Sequence, residues 1–304
     1  MSAVRGARPV TLGDWVTFAE KLYAREKLAL GQIATNAHDE ALYLVLTVLK
    51  LPLDSEARVL KKKLTAAQAA AVKEILHRRA MERVPAAYLT REAWLGGQRF
   101  YVDERVIIPR SYFVEIIAQQ LDAWLRAPEK VRRVVDVCTG SGCLAILLAQ
   151  HFPQAKVDAL DLSADALEVA KINVAAHGLT KRVKLWASDV FDGVPEVKGR
   201  KYDVILSNPP YEPSAHVDAQ APEFAAEPRM AHDGGRDGLE IIRKLLRQAR
   251  TRLTDEGLVL IEVGGLCAAM DKEFAALEPH WLHTEDGADC VCVIHAARLA
   301  KWRG

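Results

Sequence analysis

The sequence predicts an α/β protein in which a parallel sheet carries helices on both faces, preceded by a small helical domain. From residue 132 onward, short apolar runs alternate with longer stretches of helical character. Carboxylates or glycines follow several of these runs, where parallel strands would end. The predicted strands are 132–137, 155–161, 182–187, 202–207 and 257–263, and the predicted helices are 142–151, 163–177, 236–252 and 267–278. The last apolar alternation, 290–295, is expected to add an antiparallel edge strand.

Residues 1–85 are expected to form a helical domain that packs against or docks a partner. Thr11 with Asp14, and Thr65 with Gln68, have the spacing of helix-capping boxes. Residues 41–49 are apolar almost all round, as in a helix at the centre of a small bundle. This part contains no recognisable site chemistry.

Residues 86–110 are expected to form a β-hairpin linker, with Gly96-Gly97 at its turn and a second short strand at 106–109. Ser111 is expected to cap a helix that runs to about Arg126. The α/β domain would then occupy residues 111–304.

Composition excludes several classes of protein. The 41 Lys/Arg and 40 Asp/Glu leave a net charge of +1, although residues 1–90 are basic. A basic surface could meet an RNA-rich partner, but a solvated helical surface is the preferred interpretation. None of the five cysteines forms a Cys-x-x-Cys pair, which favours reduced thiols, and the nine histidines show no metal-ligand spacing. Residues 1–10 lack a signal-peptide pattern, and the apolar run 41–49 is too short to span a membrane. A cytoplasmic protein without a membrane partner or metal is expected.

The most informative motif is Asn208-Pro209-Pro210-Tyr211, directly after the apolar run 202–207. The Asn208 side-chain oxygen and the Pro209 carbonyl can each accept an N–H from a planar NH₂ group. Both prolines fix φ and stiffen the loop, while Tyr211 can cover the flat face of a bound group. The motif therefore predicts a binding site for an amide or an exocyclic amine.

A second constellation lies at the ends of the first three predicted strands. Gly140 and Gly142 follow the first strand, where glycine lets the backbone approach a ligand closely. Asp136 suits a positively charged amino group, and Asp161 suits ribose hydroxyls. Asp189 can accept from an adenine amino group while the Val190 N–H meets a ring nitrogen. An amino-acid tail, a ribose and an adenine in this order describe S-adenosylmethionine.

With these motifs, the chain resembles a class I S-adenosylmethionine-dependent methyltransferase. More narrowly, it resembles the family that methylates the side-chain amide of glutamine in translation proteins, over nearly its whole length. The resemblance rests on Asp136-Val-Cys-Thr-Gly-Ser-Gly142, Asp158-Ala-Leu-Asp161, Ser188-Asp189, Asn208-Pro-Pro-Tyr211 and the stretch 102–111. It implies a Rossmann-like sheet of seven strands. It also implies that the helical domain recognises the substrate.

The resemblance implies functional residues as well. Asn208, Pro209 and Tyr211 would be catalytic, and these three with Pro210 and Arg110 would contact the substrate. The cofactor would be held by Asp136, Cys138, Thr139, Gly140, Ser141, Gly142, Asp161, Leu162, Asp189, Val190 and Asn208. Glu262, at the end of an apolar strand, is either a site residue or, on balance, an edge contact.

The family has two branches, whose targets are peptide chain release factors and a large-subunit ribosomal protein. Residues 38–46 with 51–54, the loop 138–142 and Pro109-Arg-Ser111 resemble the ribosomal branch. Tyr112-Phe113 departs from the Pro-Ile common there, and Gly265 departs from Asn. The implied partner is the ribosomal protein, free or in an assembling ribosome; direct nucleic-acid contact is allowed but not required.

Three alternatives stay open at this point. The first is methylation of release factors. The second is adenine-N6 methylation of nucleic acid, because an exocyclic adenine amine fits the same two acceptors. The third is a binding scaffold without turnover, against which the intact motif and Asp136 argue.

Overall fold

The computed structural model describes residues 9–194, 197 and 199–303. The interpretation of residues 1–10 as lacking a signal peptide therefore falls mostly outside the described residues. The helices are α1 Leu12–Glu26, α2 Ala37–Val48, α3 Ala66–Met81, α4 Ala86–Thr90, α5 Phe113–Gln119, α6 Cys143–His151, α7 Ala164–Ala176, α8 Ser214–Asp218, α9 Pro222–Ala225, α10 Glu240–Ala249, α11 Cys267–Glu273 and α12 Ala296–Lys301. The strands are β1 Glu92–Leu95, β2 Gln98–Tyr101, β3 Arg133–Val137, β4 Lys156–Asp161, β5 Val183–Ala187, β6 Tyr202–Ser207, β7 Leu253–Glu262, β8 His280–Leu282 and β9 Val291–His295.

The chain divides into two compact units. The helical unit comprises Met1–Ala93 and Ala221–Ala226, and the sheet unit comprises Trp94–Gln220 and Glu227–Gly304. The expected domains 1–85, 86–110 and 111–304 stay a prediction, whereas the compact units divide at Ala93. Across the described ranges, no helix combines the length and the apolar character needed to cross a bilayer.

The helical unit is built around α1, α2 and α3, whose apolar faces form one buried cluster. Both predicted capping boxes are confirmed, because Thr11 Oγ1 accepts from the Asp14 N–H and Thr65 Oγ1 from the Gln68 N–H, each at 3.2 Å. The predicted apolar helix corresponds to α2. These caps satisfy N–H groups that helix starts leave without intrahelical partners.

The helical unit contains one fully buried ion pair and one that is buried only on its carboxylate side. Arg79 donates to both oxygens of Glu40, at 2.7 and 3.3 Å, and both side chains are buried. Arg83 donates to Glu223 Oε1 at 2.6 Å, and Gln32 donates to the Glu223 carbonyl. Glu223 lies in α9, so a segment far along the chain completes this unit.

The sheet unit contains the predicted parallel sheet. Its strand order is β5-β4-β3-β6-β7-β9-β8, in which β3 to β7 are parallel and β9 is antiparallel to β7 and β8. Two apolar clusters contain alternating residues of these strands, as expected for a sheet covered on both faces. The connection order reverses between β3 and β6, which is where open α/β sheets bind ligands.

Several predicted elements differ from the structure. Strand β9 was expected at the edge of the sheet, but β8 pairs with it and forms the edge. Strand β8 has three residues, too few to show an alternating apolar pattern in the sequence. Strand β7 begins at Leu253 rather than 257, because Leu253 pairs with Tyr202 across an irregularity in register. Helix α10 begins at Glu240 rather than 236, after Gly238 takes a left-handed backbone with φ of 79°.

The linker also differs from expectation. The hairpin of β1 and β2 is present, but 106–109 is not a strand, and the Ile108 N–H donates to the Glu227 carboxylate instead of to a neighbouring strand. Helix α5 ends at Gln119 rather than near Arg126, and a 3₁₀ turn follows over Leu121–Trp124. Ser111 precedes this helix, and its hydroxyl accepts from the Phe113 N–H at 3.1 Å.

Candidate active site

The loop after β3 is shaped by left-handed residues. Cys138, Gly140 and Gly142 have φ of 62°, 53° and 80°, and Gly142 is the N-cap of α6. A Cβ at Gly142 would lie 3.1 Å from the Ala170 Cβ of α7, so close helix packing requires glycine there. The loop therefore brings its own backbone to the carboxyl end of β3 and leaves little room beside α7.

Asp136 is completely buried beneath this loop. Its Oδ2 accepts from Thr139 Oγ1 at 2.6 Å and from the Ala145 N–H at 2.9 Å, while Oδ1 has no hydrogen-bond partner among the described residues. Burial raises the pKa of Asp136 to about 7. A buried carboxylate oxygen without a donor is a site that a cationic group would satisfy.

Asp161 connects the first two strand ends. Its Oδ2 accepts from the Gly140 N–H at 2.7 Å and its Oδ1 from the Ser163 N–H at 2.9 Å. Burial raises the pKa of Asp161, and the backbone donors oppose that shift. Each oxygen keeps lone pairs for a further donor, as the predicted ribose contact requires.

The third strand end is more exposed. Asp189 Oδ2 lies 2.7 Å from Lys244 Nζ, which also pairs with Asp192 at 2.8 Å. Val190 has φ of 58°, a strained backbone for a β-branched residue. Leu162, after β4, is 60 % exposed although apolar. The ion pair between Asp189 and Lys244 was not predicted from the sequence.

The Asn208-Pro209-Pro210-Tyr211 loop starts between two strand ends. Ser207 is in register with Val137 of β3 and with Ile261 of β7, and its hydroxyl donates to the Val137 carbonyl at 2.7 Å. The loop is then held by a later segment, because the Glu212 N–H donates to the His232 carbonyl and the Gly234 N–H to the Glu212 carbonyl. The motif thus lies at the same edge as Asp136, fixed at both of its ends.

Three glycines surround the motif. A Cβ at Gly234 would lie 2.7 Å from the Pro210 oxygen, and one at Gly238 would lie 2.2 Å from the Tyr211 oxygen. At Gly264, a Cβ would lie 2.6 Å from Tyr211 Cε2. Real Cβ contacts are not this short, so the position of the loop and of the Tyr211 ring depends on these glycines.

Glu262, at the end of β7, faces the same region. It is 3 % exposed, and its Oε2 accepts from Ser111 Oγ at 2.5 Å and from the Tyr112 N–H at 3.2 Å. Burial raises the pKa of Glu262 to about 7, against the hydrogen bonds from Ser111 and Tyr112 and the influence of the nearby Asn208 side chain. Burial also raises the pKa of Tyr211, with the Glu262 charge adding to that shift.

Arg110 is engaged by a buried carboxylate. Its guanidinium donates to both oxygens of Glu227, at 2.8 and 2.7 Å, and His232 Nε2 lies 2.7 Å from Glu227 Oε2. Burial alone would raise the pKa of Glu227, but the hydrogen bonds from Arg110 and His232 lower it. Arg110 is therefore fixed beside the motif's supporting segment, and its predicted substrate contact stays a prediction.

Comparison with known proteins identifies the family. A family model described as "Methyltransferase small domain" matches residues 115–230. The ribosomal protein uL3 glutamine methyltransferase of Burkholderia pseudomallei is 46 % identical over 298 residues, covering 97 % of both chains. The proteins of the same name from Neisseria gonorrhoeae and Bordetella pertussis are each 42 % identical over 95 % of this chain. The chain belongs to the ribosomal protein uL3 glutamine methyltransferase family. The recognised resemblance is thereby confirmed.

A solved structure supports the same fold for this family member. The hMettl16 catalytic domain, solved in complex with MAT2A 3'UTR hairpin 6, aligns with a TM-score of 0.50 and 15 % identity. The alignment covers 76 % of this chain and 82 % of that chain. At this identity the likeness concerns the fold, and it agrees with the observed seven-stranded sheet.

Family membership makes the chain an S-adenosylmethionine-dependent methyltransferase. The residues at the sheet edge fit that methyl donor. Asp136 Oδ1, which lacks a hydrogen-bond partner in the part of the chain that the structure describes, suits the ammonium of its amino-acid tail, and Gly140 has a left-handed backbone without a side chain. The exposed side chain of Leu162 and the remaining lone pairs of Asp161 suit an adenosine.

Sequence reasoning about this uL3 glutamine methyltransferase family member missed several supporting residues. They are Asn173, whose side chain donates to the Ser141 carbonyl, and Glu227, His232, Gly234, Gly238 and Gly264. Gly234-Gly235 and Gly238 form a visible cluster that follows the motif in the sequence. That cluster was a usable signal, whereas Glu227 and His232 have no distinctive sequence context.

Proposed function

We propose that this protein transfers the methyl group of S-adenosylmethionine to the side-chain amide nitrogen of a glutamine in the large-subunit ribosomal protein uL3. The observation that carries the proposal is the Asn208-Pro209 acceptor pair, held in a rigid loop at the sheet edge that also contains Asp136. The name shared by relatives at 42–46 % identity supports the target. A cytoplasmic location, where ribosomal proteins are made, is part of the proposal.

The reacting nitrogen needs help from the protein. An amide nitrogen is a poor nucleophile because its lone pair is delocalised into the carbonyl. Asn208 Oδ1 and the Pro209 carbonyl would accept its two N–H bonds and stabilise the positive charge that develops on nitrogen. Such preorganised contacts are each worth about 10²–10³ in rate. Because the loop is fixed at both ends, little reorganisation accompanies the reaction.

Tyr211 completes the amide site. Its ring is positioned by Gly264 and is partly buried, so it can pack on the plane of the amide. S-adenosylmethionine supplies an electrophilic methyl group on a sulfonium centre. A strong general base is unnecessary, because an N-methylated, N-protonated amide is very acidic and loses its proton readily.

The remaining predicted residues have supporting roles in this proposal. The tail and ribose of the methyl donor would be held by Asp136, Asp161 and the loop of Cys138, Thr139, Gly140, Ser141 and Gly142. Leu162, Asp189 and Val190 would contact the adenine, and Pro210 and Arg110 would line the approach of the peptide. We assign substrate recognition to the helical unit.

A labelled-methyl assay tests the proposal. Purified protein is incubated with S-adenosylmethionine carrying a labelled methyl group and, in parallel, with free uL3, mature large subunits, release factor or nucleic acid. We expect label in uL3, with a mass increase of one methyl group on a single glutamine by mass spectrometry. Label that enters only release factor or only nucleic acid contradicts the proposal.

A further inference from the structure

The geometry around Glu262 suggests a role that the proposed reaction leaves unassigned. Asn208 and Glu262 directly follow Ser207 and Ile261, which are in register on neighbouring parallel strands. The Asn208 side chain and the Glu262 carboxyl group therefore leave adjacent strand ends. The Asn208 side chain is near enough to oppose the rise that burial causes in the pKa of this carboxyl group.

The other hydrogen-bond partners of Glu262 bind one of its two carboxylate oxygens and leave the second for Asn208. Ser111 Oγ and the Tyr112 N–H both donate to Oε2, at 2.5 and 3.2 Å. Ser111 Oγ is itself oriented, since it accepts from the Phe113 N–H at 3.1 Å. Oε1 keeps its full accepting capacity toward a neighbouring donor.

The orientation of Asn208 decides whether its loop can accept a substrate N–H. A primary amide has a donor end, Nδ2, and an acceptor end, Oδ1, and the two differ little in shape. The proposed reaction needs Oδ1 toward the substrate. A neighbour that only accepts would bind Nδ2 and select that orientation, and an ionised carboxylate is such a neighbour.

We propose that Glu262 is a positioning residue: its carboxylate accepts from Asn208 Nδ2 and so directs Asn208 Oδ1 toward the substrate amide. The role rests on the proposed function. It places no proton transfer on Glu262 and requires no contact between Glu262 and the substrate.

The role has a consequence for pH dependence. Protonated Glu262 would be a donor and would compete for Asn208 Oδ1, so the competent form is the ionised one. Because burial raises the pKa of Glu262 to about 7, kcat should rise with pH through that region. Other titratable groups face Glu262. Burial raises the pKa values of Tyr211 and Cys290, and the hydrogen bond to Asp286 raises the pKa of Tyr112 to about 12. Arg110 stays charged throughout.

The test compares kcat against pH for wild type and Glu262→Gln, using uL3 at saturating S-adenosylmethionine. Asp136 is the other buried carboxyl group with a pKa near 7. Because its titration affects cofactor binding, saturating S-adenosylmethionine prevents it from contributing to the pH dependence of kcat. We expect the wild-type kcat to increase with an inflection near pH 7. Glu262→Gln, which offers Asn208 both a donor and an acceptor, should be about 10-fold slower at pH 8 and flat with pH. Its dissociation constant for S-adenosylmethionine should stay within about 2-fold of wild type.

Ser111→Ala is the matched variant, because it removes one hydrogen bond to the ionised carboxylate and keeps the carboxylate itself. It should raise the pKa of Glu262 and move the inflection to higher pH. A Glu262→Gln profile that keeps the wild-type inflection overturns the inference, as does a loss of rate that follows a loss of cofactor affinity. If Glu262→Gln does not fold, a wild-type kcat without an inflection between about pH 6 and 8 overturns it. Wild type that labels no uL3 at any pH refutes the proposed function itself, and the role of Glu262 with it.

Discussion

The Tyr211 ring occupies the space that a side chain at Gly264 would need: a Cβ there would lie 2.6 Å from Tyr211 Cε2. Gly264 also has φ of 51°, a conformation that side chains disfavour. Two strand ends are thereby linked, because Gly264 follows β7 and Tyr211 follows β6. The position of the Tyr211 ring, which we propose contacts the substrate, therefore depends on a glycine outside the motif itself.

Gly264→Ala should displace the Tyr211 ring and lower kcat for uL3 by about 10- to 100-fold, since small misplacements of a reactive group are this costly. The dissociation constant for S-adenosylmethionine, measured by calorimetry, should change little. Gly265→Ala is the control, because a Cβ there meets nothing within 4 Å. Equal losses in the two variants would refute the steric explanation.

Asn208→Ala should bind S-adenosylmethionine nearly as wild type does and lose methyl transfer by at least about 100-fold, because one of the two preorganised acceptors is removed. Asn208→Asp keeps an acceptor but adds a charge beside Glu262, and it should also fail. Single-turnover transfer of labelled methyl groups measures both. Full transfer by purified Asn208→Ala would remove Asn208 from the mechanism.

Asp136 should make cofactor binding depend on pH. Burial raises its pKa from 3.8 to about 7, so the free protein loses stability as pH rises through this window, where the buried group must ionise. The ammonium of S-adenosylmethionine favours the ionised form. The dissociation constant for S-adenosylmethionine should therefore increase as pH falls below about 7, by a factor that approaches 10-fold per pH unit.

Asp136→Asn should remove that pH dependence and weaken binding at pH 8 by about 10- to 100-fold, as expected for loss of a charged hydrogen bond. It should also raise the melting temperature of the free protein at pH 8, since no buried charge remains there. Asp165→Asn, at an exposed position of α7, controls for loss of charge. A binding constant that stays pH-dependent in Asp136→Asn would assign the titration to another group.

Arg79 and Glu40 form an ion pair in which both side chains are buried. Arg79→Met would leave Glu40 as an uncompensated buried charge, whose pKa burial already raises, and should cost about 3–5 kcal/mol of unfolding free energy. The double variant Arg79→Met with Glu40→Leu should recover most of that loss. Urea unfolding, combined with hydrogen exchange of α1 to α3, measures the effect in the helical unit.

Arg78→Met is the matched control for this pair. Arg78 is exposed and lies 3.7 Å from Glu82, and exposed pairs of this kind contribute at most about 1 kcal/mol. If Arg78→Met and Arg79→Met destabilise the protein equally, burial is not the reason for the effect.

The strand ends of the site were predictable from the sequence, because each depends on a local pattern. Asp161 and Asn208 end or follow apolar runs, Asp136 lies one residue before the end of another, and parallel strands bring such ends to one edge. The capping boxes at Thr11 and Thr65 were predictable for the same reason. All of these patterns extend over only a few residues.

The supporting contacts were not predictable, because they join distant parts of the chain. Ser111 and Glu262 are separated by 151 positions, and Arg110 and Glu227 by 117. Only the sheet register shows that Glu262 ends the strand next to the one that Asn208 follows. Strand β8 has three residues and therefore no periodicity to detect. The role of Gly264 depends on where the Tyr211 ring lies, which no local pattern encodes.

Helix α9 has a practical consequence for exchanging target preference between relatives. A chimaera that replaced only residues 1–93 would exchange most of the helical unit but keep the native Glu223, whose buried carboxylate pairs with Arg83. That carboxylate would then meet whichever residue the donor protein has in place of Arg83. On the proposal that the helical unit recognises the substrate, residues 1–93 and 221–226 must be transplanted together, because they form one discontinuous unit.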